Sequence, residues 1–243
     1  MDSGYYAAYS ALLARTQALD SAASNLSNAN TNGFRAEREY FRSVIMGPEA
    51  FASQLNTTIN DFGVLGGNRL DLGQGALAHT GNPLDMAIEG SGFFSIAAQQ
   101  GTRYTRDGSF ERGAGGVLVT RQGEPVLSSA GKPIVIPAGS ISVGTDGVVS
   151  VGGATVGQIG VVTFRSPQSL VAEGVNRYTS PEQAVPAVQY SVHQGSLEAS
   201  NQDVVQGTLQ LVLVQRQAEM IQKALTIFHT DFDKTASEDL PKV

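Results

Sequence analysis

Three histidines, a pair of carboxylates and a series of spaced glycines are the residues whose chemistry must be weighed first. His79, His193 and His229 stand far apart, and no metal-ligand spacing accompanies them. They read as satisfied or solvated imidazoles. Asp231 and Asp233 flank Phe232 near the end of a helical stretch. Paired carboxylates can do acid–base work, but here they read as a solvated face. Cysteine is absent, which removes disulfides, thiolate metal sites and a Cys nucleophile. The glycines do not form a phosphate loop, because no G-x-x-x-x-G-K-[ST] sequence occurs and they punctuate turns instead of opening a helix. Asn56-Thr57-Thr58 matches a glycosylation sequon, a pattern common by chance. The expectation is a protein with no catalysis, no cofactor and no metal.

The elements around these residues carry more information. At the N-terminus Tyr5, Tyr9, Leu12, Thr16, Leu19, Ala23 and Leu26 recur at helical spacing, a stripe along one face. It stops at Asn28-Ala29-Asn30-Thr31-Asn32-Gly33, where Asn and Gly tolerate the left-handed backbone of a helix stop. The C-terminal stretch mirrors it with Val204, Thr208, Leu211, Val214, Ala218, Ile221, Leu225, Phe228 and Phe232. Ser200, Asn201 and Asp203 are N-cap candidates for that helix.

Between the ends the period changes. Gly108, Gly116, Gly123, Gly131, Gly139 and Gly147 fall about eight residues apart, with short β-type runs between them. These runs include residues 117–119, 133–136 and 148–151, and Gly160 to Phe164 looks like another strand. Asp107-Gly108 and Asp146-Gly147 are hairpin-turn dipeptides. The expected division is an N-terminal helix and turn over 1–34, a connector over 35–75 and a central antiparallel β domain over 76–185. A second connector over 186–200, a C-terminal helix over 201–236 and a tail over 237–243 follow. The fold class expected is α+β, with long N- and C-terminal α-helices forming a coiled-coil-like axial domain around the β domain.

Composition excludes several classes. The chain has 243 residues, 41% hydrophobic and 16% charged, with a net charge of −6, so a general nucleic-acid binder is not expected. Tryptophan is absent, which weakens a sugar-stacking site. No basic segment followed by an apolar core opens the chain, and no stretch approaches the ~18 apolar residues of a membrane span.

An amphipathic helix cannot bury its stripe alone, and each buried Val, Leu or Phe is worth roughly 1.5–3 kcal/mol. Two solutions remain open from periodicity. The helices pack within their own subunit on the β domain, or they pair and then meet neighbouring copies. Head-to-tail contacts that do not close would give a filament, with termini that order on assembly. A β binding module displayed on a coiled-coil stalk is a second reading, and a wall-degrading hydrolase a remote third.

Specific residues separate these readings. Ser24-Asn25-Leu26-Ser27-Asn28-Ala29-Asn30-Thr31-Asn32-Gly33-Phe34-Arg35 resembles the N-terminal signature of flagellar rod and hook proteins, with Ser24 and Ser27 replacing Asn and Ala. Gly195-Ser196-Leu197-Glu198-Ala199-Ser200-Asn201 is similar to the family's C-terminal G-x-L-E-x-S-N, with Gln202 where Val is frequent. Gln215-Arg216 and Glu219 resemble its Q-R-x-x-E. Asn82 to Ile88, Gly90 to Phe94 and Tyr104-Thr105-Arg106-Asp107-Gly108-Ser109-Phe110 resemble its central motifs. The resemblance implies a structural subunit of the basal-body rod, most like the shorter proximal-rod members and next the distal-rod ones. It implies as partners other copies and other rod proteins, with export through the flagellar type III apparatus and without a cleaved signal. No nucleic acid and no small-molecule substrate are implied. The subunit-packing residues would be Tyr5, Tyr9, Leu12, Leu19, Leu26, Val204, Leu211, Val214, Ile221, Leu225, Phe228 and Phe232.

Overall fold

The computed structural model describes residues 2–42 and 64–234. Residues 43–63 of the first connector, the Asn56 sequon and the tail over 237–243 lie outside the described residues. The described chain is largely β, with two α-helices, α1 (Asp2–Ser27) and α2 (Val204–Lys234). It divides into two compact units. One comprises the described residues of Met1–Leu26, Glu37–Arg69 and Val204–Val243, and the other Ser27–Ala36 with Leu70–Asp203.

In the first unit the strands Glu37–Arg42 and Val64–Leu70 pair as a ribbon. The enclosed face of α1 is made of Ala14, Ala18, Ser21, Ala22 and Asn25. Tyr9 is 55% exposed, and Leu12, Leu19 and Leu26 are half-buried. The expected α+β fold, with long terminal helices in a coiled-coil-like axial domain, is therefore corrected. Knobs-into-holes packing needs large apolar side chains at the seam, and the residues that α1 encloses are small or polar. Its larger apolar side chains stand beside that face. The helical period at both ends was legible, but the period alone does not say which side of a helix is covered.

The second unit holds most of the strands. Its largest sheet runs Val171–Ala172, Arg177–Thr179, Gly101–Thr105, Phe93–Ala98, Val161–Thr163, Val185–Pro186, and every neighbour is antiparallel. Phe110–Arg112 pairs with Leu118–Thr120, Met86–Gly90 with Tyr190–Gln194, and Leu77–His79 with Ser196–Glu198. A three-stranded meander joins Ile141–Val143, Val148–Val151 and Ala154–Gln158. The main core gathers Met86, Ile88, Phe94, Ile96, Phe110, Leu118, Val126, Ile136, Val149 and Ile159. Phe94 and Phe110 meet edge-on at 5.1 Å, a favoured aromatic geometry. A smaller cluster packs Phe93, Phe164, Leu170 and Tyr178.

The two turn dipeptides behave differently. Asp146-Gly147 closes the hairpin between Ile141–Val143 and Val148–Val151, with Gly147 at φ 80°. Asp107-Gly108 does not join paired strands, because Gly101–Thr105 and Phe110–Arg112 pair with other partners. There glycine answers a close approach: a Cβ on Gly108 would collide with the Met86 carbonyl.

Phe94 has no exposed surface and touches the centre of the main core. Phe94→Ala should lower stability by about 3–5 kcal/mol. Urea unfolding followed by far-UV circular dichroism checks this, and an unchanged midpoint would contradict the core described above.

Candidate functional site

The densest concentration of charge in the interior lies in the second unit, around Glu198. That residue ends the strand Ser196–Glu198 and has no exposed surface. Its Oε1 accepts from Arg35 Nη2 at 2.6 Å and from the Gly75 N–H at 2.8 Å. Its Oε2 accepts from Arg106 Nη1 at 3.1 Å. Arg35 and Arg106 are 1% and 4% exposed, so two guanidiniums share one carboxylate away from water. Arg106 also donates to the carbonyls of Ile88 at 3.0 Å and Gly90 at 2.6 Å. Burial pushes the Arg106 guanidinium down to about 10, with Glu198 opposing the fall. It stays charged at neutral pH.

Backbone ties complete the centre. The Gly33 N–H donates to the Glu198 carbonyl at 2.8 Å. The Tyr178 hydroxyl accepts from the Arg35 N–H at 2.9 Å and donates to the Gly33 carbonyl at 3.3 Å. Burial raises the Tyr178 phenol well above its ordinary range, although Arg35 opposes the rise. Asn201 accepts from the Ala36 N–H at 2.7 Å and donates to the Asp71 and Gly73 carbonyls. Asn176 donates to Asp107 Oδ2 at 2.9 Å and to the Asn32 carbonyl at 3.3 Å. Gly33 has φ 68°, and a Cβ there would strike the backbone of Arg106 and Asp107. Only glycine fits both demands.

This arrangement is built for clamping. The carboxylate is held by two guanidiniums and a backbone N–H, so it offers no poised general base. Three segments far apart in sequence are stapled at one point: Gly33 to Ala36, Arg106 with Asp107, and Glu198 to Asn201.

Comparisons with known proteins match two of these three segments to protein families. Residues 6–35 match the family described as flagella basal body rod protein, and residues 87–151 match the flagellar hook protein FlgE/F/G D1 domain. Over 252 residues, and the full length of both chains, the protein is 35% identical to the flagellar basal-body rod protein FlgF of Caulobacter vibrioides. The chain belongs to the flagellar basal-body rod and hook family. It is also 34% identical to FlgF of Mesorhizobium japonicum over 90% of each chain. To the rod protein FlgG of Agrobacterium fabrum it is 32% identical, over 86% of this chain and 88% of the relative. Arg35 ends the first matched segment and Arg106 lies inside the second, and both hold Glu198.

The rod-family motif residues are spread over both units. Gly33, Phe34, Glu198 and Asn201 meet at the junction. Leu197 is buried, and its strand pairs with Leu77–His79. Gly195, at φ 69°, donates to the Asp85 carbonyl. Asp85 in turn accepts from Thr80 and Asn82, which fixes the Asn82-Pro83-Leu84-Asp85 turn. Asn28 and Thr31 close the turn after α1 by a backbone bond of 3.1 Å, Asn30 is exposed, and Ser200 accepts from the Gln202 N–H. Asn25 lies in the first unit, where it clasps Glu37 with bonds of 2.7 and 2.8 Å to its backbone.

Of the packing stripe, Val214 is buried, Leu211, Ile221 and Leu225 are half-buried, and Val204 is 45% exposed. The side chains of Tyr5, Phe228 and Phe232 lie outside the described residues, as do those of His229, Asp231 and Asp233. His193 sits 2.7 Å from Glu89, and His79 beside Gly195. The expected site residues omitted Arg35, Arg106, Tyr178 and Asn176. The two arginines stand inside quoted motifs and were findable as the charges facing the motif's single glutamate. Tyr178 and Asn176 carry no local signal.

Glu198→Gln should cost about 3–5 kcal/mol, since it leaves two buried guanidiniums without a counter-charge. Thermal unfolding checks this, and a loss near zero would show that the carboxylate is not the clamp. Tyr178 contributes to the alkaline behaviour. Its folded phenol keeps a proton that the unfolded chain releases above about pH 10. The stability difference between the native chain and Tyr178→Phe should therefore shrink as pH rises through that value. Equilibrium unfolding of both proteins from pH 8 upward reads it.

Proposed function

We infer that this protein is a structural subunit of the flagellar basal-body rod, of the FlgF type, and that its exposed helical faces join it to neighbouring axial subunits. The clamp around Glu198 is the observation that carries this reading. It locks the chain's motif segments into one rigid unit, which suits a part that must carry torque without yielding. The likeness to FlgF relatives over 89–100% of this chain supports the proximal-rod position over the FlgG-type distal one. No described helix is long and apolar enough to cross a membrane. We assign the chain no catalysis, cofactor or metal. Other copies and other rod proteins are its partners, and the flagellar type III apparatus is its route of export.

In this reading the helices contribute apolar surface and the second unit contributes stiffness. The predicted stripe residues Leu12, Leu19, Leu26, Leu211, Ile221 and Leu225 lie at the margins of the covered faces, where a neighbour can complete their burial. Each such burial is worth roughly 1.5–3 kcal/mol. Many repeated contacts of that size share the load.

Leu209 and Leu213 are 60% and 56% exposed on α2. Leu209→Asp with Leu213→Asp should leave the second unit folded and abolish motility in a strain lacking its own copy. Swimming assays and imaged basal bodies check both points. Normal rods from the double variant would refute the packing role, and native subunits located beside the hook would favour the distal position.

A further inference from the structure

In the first unit, α1 and the paired strands enclose an open cleft of about 460 Å³. It is lined by Gln17, Asp20, Ser21 and Ser24 from the helix and by Glu37, Gly67 and Asn68 from the strands. Its two charged lining groups are both carboxylates. Glu37 Oε2 accepts from Asn68 Nδ2 at 2.9 Å. Ser21 is 5% exposed, and its hydroxyl has no hydrogen-bond partner among the described residues. A buried hydroxyl gains from a hydrogen-bond partner that reaches it. Arg69 lies over the Tyr40 ring at 4.2 Å, and Arg15 acts on Glu39, lowering a carboxyl that burial raises.

A cation with several donors would satisfy the cleft, and α2 carries one in the right company. Beside its covered face it has a second, exposed apolar face of Val205, Leu209, Val212, Leu213, Met220 and Ile227, all between 44% and 67% exposed. Arg216 is exposed in the middle of that series. On α1, Tyr9 and Leu13 are exposed at 55% and 53% on the side that continues to Gln17 and Asp20. Val205 and Leu209 stand eleven and seven residues before Arg216, as Tyr9 and Leu13 stand eleven and seven before Asp20. A parallel side-by-side approach therefore sets apolar against apolar and cation against carboxylates.

We propose that this cleft receives Arg216 from α2 of a second copy of this chain. The guanidinium lies between Asp20 and Glu37 and donates to the Ser21 hydroxyl, while Val205 and Leu209 cover Tyr9 and Leu13. The contact uses different surfaces on the two copies, so it propagates instead of closing. It rests on the rod reading above and adds the residues that join one subunit to the next.

The test is a charge swap in cells that lack their own copy. Arg216→Glu should reduce incorporation into isolated basal bodies by about tenfold or more, as loss of one partner of an enclosed ion pair does. Adding Asp20→Arg in the same chain should restore incorporation to within about twofold, since every copy then presents the reversed pair. The native chain contains no cysteine. Tagged Asp20→Cys and Arg216→Cys chains, expressed together, should therefore give a mixed dimer with a short bis-maleimide. Native incorporation by Arg216→Glu overturns the proposal. So does the absence of both rescue and mixed dimer, whether another axial protein or nothing fills the cleft. If the native chain itself never enters basal bodies, the rod reading falls and this contact with it. If the native chain enters and neither rescue nor mixed dimer appears, only this contact falls.

Discussion

A single carboxylate placed where water cannot reach it constrains the rest of the second unit. Glu198 must pair with two guanidiniums and accept a backbone N–H, and its own carbonyl must accept from Gly33. Taking such charges out of water costs several kcal/mol for each ion, and the attraction offsets this only where every partner is in place. The cluster carries one net positive charge, from two guanidiniums and one carboxylate. Buried nitrogens of Arg35 and Arg106 remain without partners among the described residues. It therefore contributes less to raw stability than to uniqueness of geometry. A shifted register would strand a charge in the core, so the segments adopt one relative placement or none.

Two backbone encounters let that carboxylate sit where it does. Gly33 presses onto the chain at Arg106 and Asp107, and Gly108 presses onto Met86. Each brings a motif segment closer than any side chain allows. Tyr178 spans the first encounter with a hydroxyl that both accepts and donates. Its ring packs edge-on against Phe93 at 5.6 Å, and Phe93 lies under the Arg106 guanidinium. The polar clamp and the aromatic cluster thus share walls, and neither deforms without the other.

The helices follow a different logic. The enclosed face of α1 is made of small side chains, which suits close approach but provides little apolar area. Both helices leave larger apolar groups at the edge or in the open, among them Tyr9, Leu13, Leu209, Leu213 and Met220. On the role proposed above, faces of that kind stay available until a neighbour buries them.

Much of this was legible in the residues alone. Helical periodicity marked both ends, glycine spacing and β-branched runs marked a turn-rich middle, and the motif around Asn25 to Arg35 with that around Glu198 marked the family. These are local signals, set by backbone preference over a few residues. The side of α1 that is covered was not legible, because small residues and a leucine stripe both repeat at helical spacing and only packing chooses between them. The Asp107-Gly108 pair misled for a related reason: a turn and a close backbone contact both select glycine. Tyr178 and Asn176 reached the junction with no local cue at all. The sequence determined which segments form and what chemistry they carry. Tertiary structure decided that Arg35, Arg106 and Glu198 meet, because a charge's partner is chosen by distance in space, and chain separation of more than 90 residues leaves no periodic trace of it.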